Sequence, residues 1–191
     1  MAQPDIAVGL YQRALGSAWE ALHPALRAAH AGHGVYRAAG SFEIRYGRGW
    51  LARAIVAMCG MPPAAASVPT RLVVAPGDDF ERWFRTFGAR PLDSVQTTPA
   101  RGRVWERFGP VEIRFHLGID GGALVYVQER CALALPGLHL PMPGWLAPRV
   151  AAREEPGSGP GATRIEVTIS APWGGLLITY QGEIAPEGGP A

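Results

Sequence analysis

The chain has 191 residues, 18 basic against 16 acidic, and a formal net charge of +2; 48% of its residues are hydrophobic and 18% charged. So apolar and nearly neutral a chain is neither a disordered segment nor a nucleic-acid binder held mainly by charge, and its length fits one domain. Every basic residue is Arg and none is Lys.

The N-terminal third reads as helical. Ile6, Leu10 and Ala14 give a short amphipathic pattern, and Gly16-Ser17 offers a stop and a new cap. Trp19, Leu22, Leu26 and Ala29 follow at helical spacing, with Pro24 placed to start a second helix or kink the first. The period then changes to two: Phe42, Ile44 and Tyr46 alternate with polar residues, which predicts a half-buried strand. Gly47-Arg48-Gly49 turns into a helix, Trp50–Cys59, whose nearly all-apolar surface predicts burial on most sides. Strands are predicted at Arg71–Ala75, Phe80–Phe87, Arg103–Phe108, Val111–Ile119, Ala123–Leu135, Thr163–Ser170 and Leu176–Ile184, separated by Gly- and Pro-bearing turns. Pro136–Pro148 and Pro156–Gly161 read as irregular. Residues 5–186 form a single predicted domain and 187–191 a disordered tail.

This order predicts an α+β fold, a strongly curved antiparallel sheet or half-barrel of about seven to eight strands around one apolar helix, with the N-terminal helical segment packed outside. It is similar to the helix-grip ligand-binding proteins of the START and polyketide-cyclase type, without their long C-terminal helix. That likeness is topological and assigns no function.

Several phrases carry a closer resemblance: Leu15-Gly16 with Trp19 and Leu22-His23-Pro24; Gly47-Arg48-Gly49 with Leu51-Ala52-Arg53; Glu81-x-Trp83 with Arg85-x-Phe87-Gly88; Glu106-Arg107-Phe108-Gly109-Pro110; and Trp145-Leu146-x-Pro148-Arg149. In this order they resemble the bacterial family of domain of unknown function 4166, from about Leu15 to Ile184. The resemblance implies a stand-alone domain or one attached to others, including saccharopine-dehydrogenase-like NAD-binding domains. It supplies no catalytic residue.

The residues themselves exclude several chemistries. Cys59 and Cys131 lie in apolar runs without a paired thiol or His, which fits buried hydrophobes better than a disulfide framework or zinc site. Gly47-x-Gly49-x-x-Ala52 copies part of a dinucleotide fingerprint, but no parallel βαβ unit follows and no acid falls roughly 20 positions later. Two glycines for a tight turn explain it better; a weaker reading has Arg48 and free N–H groups holding a small anion. His30-x-x-His33 lacks a carboxylate at ligand spacing, and no Ser or Cys sits in an activating motif. No cofactor and no metal is expected. No run of roughly 18 apolar residues offers a membrane span, and the N-terminus lacks a secretory pattern. A soluble, cytoplasmic protein is expected.

One constellation remains. Glu129 falls in phase with Val125, Val127, Cys131 and Leu133; Glu81 and Arg85 share a face with Trp83 and Phe87; Arg53 is the charge on the apolar helix beyond its first turn. Together these residues would line a polar spot in a mostly apolar cavity. Equally, Glu81 and Arg85 form a surface pair and Glu129 marks a bulge. Trp145, in the Leu138–Leu146 loop, would lid a cavity, dock on a partner or dip into a membrane, the last disfavoured by the lack of adjacent basic residues. The sequence therefore predicts a non-catalytic binding module for a small apolar or amphipathic molecule in the concave face of the sheet, with Arg53, Glu81, Trp83, Arg85, Glu129 and Trp145 as candidate ligand residues. The alternatives are an accessory domain docking on an oxidoreductase partner and an enzyme using a buried carboxylate.

Overall fold

The computed structural model describes residues 8–58, 60–173 and 175–188. Cys59 and the end of the expected tail lie outside the described residues. Helix α1 (Leu10–Leu15), a 3-10 turn (Gly16–Ala21) and helix α2 (Pro24–Ala29) precede strand β1 (Tyr36–Tyr46) and helix α3 (Trp50–Met58). Ten strands follow: β2 (Ala65–Pro76), β3 (Phe80–Phe87), β4 (Arg90–Thr97), β5 (Arg103–Phe108), β6 (Val111–Asp120), β7 (Ala123–Leu135), β8 (Leu138–Pro141), β9 (Arg149–Pro156), β10 (Thr163–Ala171) and β11 (Gly175–Pro186).

All strand pairings are antiparallel, in the order β6-β5-β4-β3-β2-β1-β11-β10-β9-β7-β8, and β6 also pairs with β7. That last pairing closes a ten-stranded barrel and leaves β8 outside it. The half-barrel of seven to eight strands around a helix is thereby corrected. Closure removes the sheet edges that a half-barrel would leave unpaired. Strand β7 makes closure possible: its first half pairs with β9 (Leu124↔Glu154 to Val127↔Ala151) and its second half with β8 (Ala132↔Pro141 to Leu135↔Leu138).

The sequence missed β4, β8 and β9 for different reasons. In β4 the inward residues are Leu92, Ser94 and Gln96, so the buried face is largely polar and the alternation signal vanishes. Strand β9 carries Ala151 and Ala152 where large apolar residues would mark a strand, and β8 is a short hairpin arm within the Pro- and Leu-rich segment.

The largest correction concerns what fills the barrel. Helix α3 does not lie in the hollow; it caps the end where β1 finishes, burying Ala52 and Val56 while Trp50 is 80% exposed. Gly47 permits this join, since a Cβ there would stand 1.8 Å from the Leu176 carbonyl oxygen. Open space surrounds Gly49 and its φ is not positive, so its surroundings do not require glycine. The opposite end is plugged by the N-terminal segment expected outside the sheet. Leu10, Tyr11, Ala14, Leu15, Trp19, Leu22 and Leu26 are all buried there. Pro24 starts α2, and His23 Nδ1 accepts the Ala25 N–H at 3.2 Å. No helix among the described residues is long and apolar enough to cross a membrane.

Candidate functional site

The barrel interior is not a uniform apolar core. Near the plugged end, His30 at the C-terminus of α2 lies 2.7 Å through Nε2 from Glu154 Oε2 of β9. The Tyr126 hydroxyl of β7 donates to Glu154 Oε1 at 2.8 Å and lies 3.0 Å from the Tyr11 hydroxyl, which donates to Gln96 Oε1 of β4 at 2.6 Å. The Tyr11 ring stacks on His30 at 4.0 Å between centroids. Glu81, inward on β3, accepts the Trp83 indole N–H at 3.2 Å. Further along β3, Arg85 lies 4.8 Å over the Trp83 ring and donates to Ser94 at 2.8 Å and to Glu106 at 2.9 Å. Pairing on this scale is what allows so many polar groups inside a barrel.

These groups shift one another's protonation. Burial pushes Glu154 up, but His30 and the hydrogen bonds from His30 and Tyr126 outweigh it and hold the carboxyl below its ordinary range. Burial likewise pushes His30 down, and Glu154 reverses that, leaving the imidazole above its ordinary value. Glu81 has no cation in contact; burial raises it, only partly opposed by His30 and Trp83. Burial, with Glu154 adding, pushes the Tyr36 phenol up to about 12.

Beside His30 lies a cavity of about 10 Å³, lined in part by Tyr36, Thr163, Trp83 and Glu154. His30 Nδ1, the Tyr36 hydroxyl and Thr163 Oγ1 are buried there without a protein partner among the described residues. Volume and polarity match a single water molecule. A small apolar molecule does not fit this space.

A second space lies beside β7. A groove of about 370 Å³ runs between β7 and the Met142–Arg149 segment, lined by Gln128, Glu129, Arg130, Cys131, Met142, Ala147 and Arg149 among others. Gln128 ties the two sides together: its Nε2 donates to the Pro148 carbonyl at 2.8 Å and its Oε1 accepts the Val150 N–H at 2.6 Å. Cys131 and Met142 meet sulfur to sulfur at 3.5 Å. Glu129 pairs with Arg103 at 3.2 Å. Among the described residues, neither Arg130 nor Arg149 has a carboxylate within salt-bridge reach.

Of the six candidate residues, Glu81, Trp83 and Arg85 meet inside the barrel, as their shared strand face implied. Glu81 and Arg85 are not partners of each other; each has its own. Arg53 is exposed on α3, and Trp145, 70% exposed, lies on the loop beside the groove. Glu129 is the bulged residue of β7: Arg114 pairs with Arg130 and Phe115 with Gln128, so Glu129 is skipped and turned to the surface. Sequence reasoning missed His30, Glu154, Tyr11, Tyr126 and Gln96. Their partners lie up to 124 positions apart, and no local pattern marks such a pairing.

The family described as "Domain of unknown function (DUF4166)" matches residues 22–184. The chain belongs to this family. The match to DUF4166 runs from the last plug residues through β1–β10 and almost to the end of β11, so the whole barrel is the family unit. Neither a curated protein nor a solved structure matches this DUF4166 chain.

Proposed function

We propose that this domain is a non-catalytic binding module and that its ligand is a small amphipathic molecule with an acidic head, seated in the groove between β7 and the Met142–Arg149 segment. The observation that carries the reading is the groove's volume of about 370 Å³, within the roughly 300–1,000 Å³ of small-molecule sites. Cys131, Met142 and Ala147 give it an apolar lining, and Arg130 and Arg149, which also line it, have no carboxylate within salt-bridge reach among the described residues. Trp145 on the same loop supplies an aromatic surface for the ligand's apolar portion.

The test is a titration of the isotopically labelled protein with dodecanoate and, separately, dodecyltrimethylammonium, both below micelle formation. Saturable amide shifts confined to residues 128–131 and 141–149 are expected with the carboxylate and not with the cation. Arg130→Ala with Arg149→Ala should weaken dodecanoate binding about 10-fold or more. Equal binding of both amphiphiles, or shifts spread over the barrel, would overturn the proposal.

A further inference from the structure

The connections of an up-and-down barrel alternate between its two ends, and here the ends differ in chemistry. The connections at the α3 end are, among the described residues, 47–58, 60–64, 88–89, 109–110, 136–137, 142–148 and 172–173. They contain no Asp or Glu, and their charged residues are Arg48 and Arg53. The connections at the plugged end carry Asp78, Asp79 and Glu187 together with Arg101. The exposed tryptophans follow the same division. Trp50, Trp145 and Trp173, exposed by 80, 70 and 52%, all lie at the α3 end; Trp19 and Trp83 are buried.

These residues form one arc. Arg149 pairs with Ser170, which sets the Trp145 loop beside the β10–β11 turn bearing Trp173. The Gly47 N–H bonds the Leu177 carbonyl at 2.9 Å, which sets that turn beside the first residue of α3, Trp50. Leu146 and Leu176 are exposed within the same arc. Arg53 lies one helical turn from Trp50 and is exposed, and neither Arg48 nor Arg53 has an ion-pair partner among the described residues. Nearby Glu43 is already neutralised by Arg45 at 2.6 Å. Exposed aromatic side chains among unpaired arginines, without carboxylates, complement a surface that is apolar beneath and negatively charged above.

From this we infer that the α3 end of the barrel docks on an anionic lipid bilayer, with Trp50 and Trp173 inserted at the headgroup boundary and Arg48 and Arg53 facing the phosphates. The mode is peripheral: the barrel rests on the bilayer and does not cross it. The inference does not depend on the groove reading: Trp50, Trp173, Arg48 and Arg53 line no part of that groove, and Trp145, beside it, enters both.

The experiment is co-sedimentation of the full chain with phosphatidylcholine vesicles and with vesicles half phosphatidylglycerol, read with tryptophan fluorescence. Binding and a blue shift are expected with the anionic vesicles, weakening steeply as salt rises. Trp50→Ala and Trp173→Ala should each reduce partitioning several-fold, and Arg48→Ala and Arg53→Ala roughly 5-fold each, with thermal midpoints unchanged because all four side chains are exposed. The inference is overturned by no sedimentation with anionic vesicles at low salt, or by binding that these variants leave intact. Association with another protein in the absence of vesicle binding would overturn it too.

Discussion

Glu154 joins two interior groups, holding His30 through one oxygen and Tyr126 through the other. Truncating it strands both partners in a buried place. Glu154→Ala is therefore expected to destabilise by about 3–5 kcal/mol, and Glu154→Gln, which keeps the shape, by about 1–3 kcal/mol, measured by urea unfolding. The same pair sets a pH dependence. The raised imidazole of His30 stabilises the fold fully below the unfolded value of about 6.5, and this is lost as pH rises through the folded value. The lowered carboxyl of Glu154 stabilises it above about 4.3, and this is lost as pH falls through its folded value. Glu81 acts in the opposite sense to Glu154: its raised carboxyl keeps its proton longer in the folded state, so it subtracts stability as pH rises past about 4.3. Unfolding midpoints should therefore peak near pH 5 and decline toward pH 8. Glu154→Gln should flatten the alkaline limb by removing the charge that holds the His30 proton. A variant profile parallel to the native one would show that the pair does not control the limb.

At the scale of elements, the two helical regions exchange the roles that composition suggests. Helix α3 is the more apolar, yet it lies on an end of the barrel, while the shorter α1 and α2 fill the opposite end. Leu22 and Leu26, 1% and 0% exposed, should each cost about 2–5 kcal/mol when replaced by Ala. Trp50→Ala, the larger deletion, should change stability by no more than about 0.5 kcal/mol. A reversed order in chemical denaturation would restore α3 to the interior. The reason local reading fails here is physical. Hydrophobicity reports that a helix will be covered but not by what, and an apolar helix whose residues meet an external surface looks the same in sequence as one buried in a core. Strand β4 shows the converse: its inward Ser94 and Gln96 erase the alternation because their partners, Glu106 and Tyr11, arrive from elsewhere in the chain.

For the whole molecule, closure through β6–β7 gives each barrel strand two neighbours, whereas β8 pairs with the outer half of β7 alone and is exposed along its length. Hydrogen exchange should follow this division. The amides of β8 are expected to exchange roughly 100-fold faster than those of β1 and β11, which open with the barrel. Uniform protection of β8 and β1 would mean that the outer hairpin folds as part of the barrel unit. The bilayer-facing end belongs to this scale as well. Its three tryptophans and two arginines come from three separate connections, so neither their proximity nor the absence of Asp and Glu from these connections is a property of any one segment.

Period-two alternation determined most of the strands, and with them that Glu81, Trp83 and Arg85 share a face, because the backbone pleat imposes that pattern locally. The turn glycines, the start of α2 at Pro24 and the family resemblance were equally legible. Tertiary structure alone decided that the sheet closes, that the N-terminal helices enter it, that Glu129 is bulged outward and that His30 meets Glu154. Each of these depends on a pairing between distant positions, where the stabilisation comes from the partner's burial and charge and leaves no mark in the neighbouring residues.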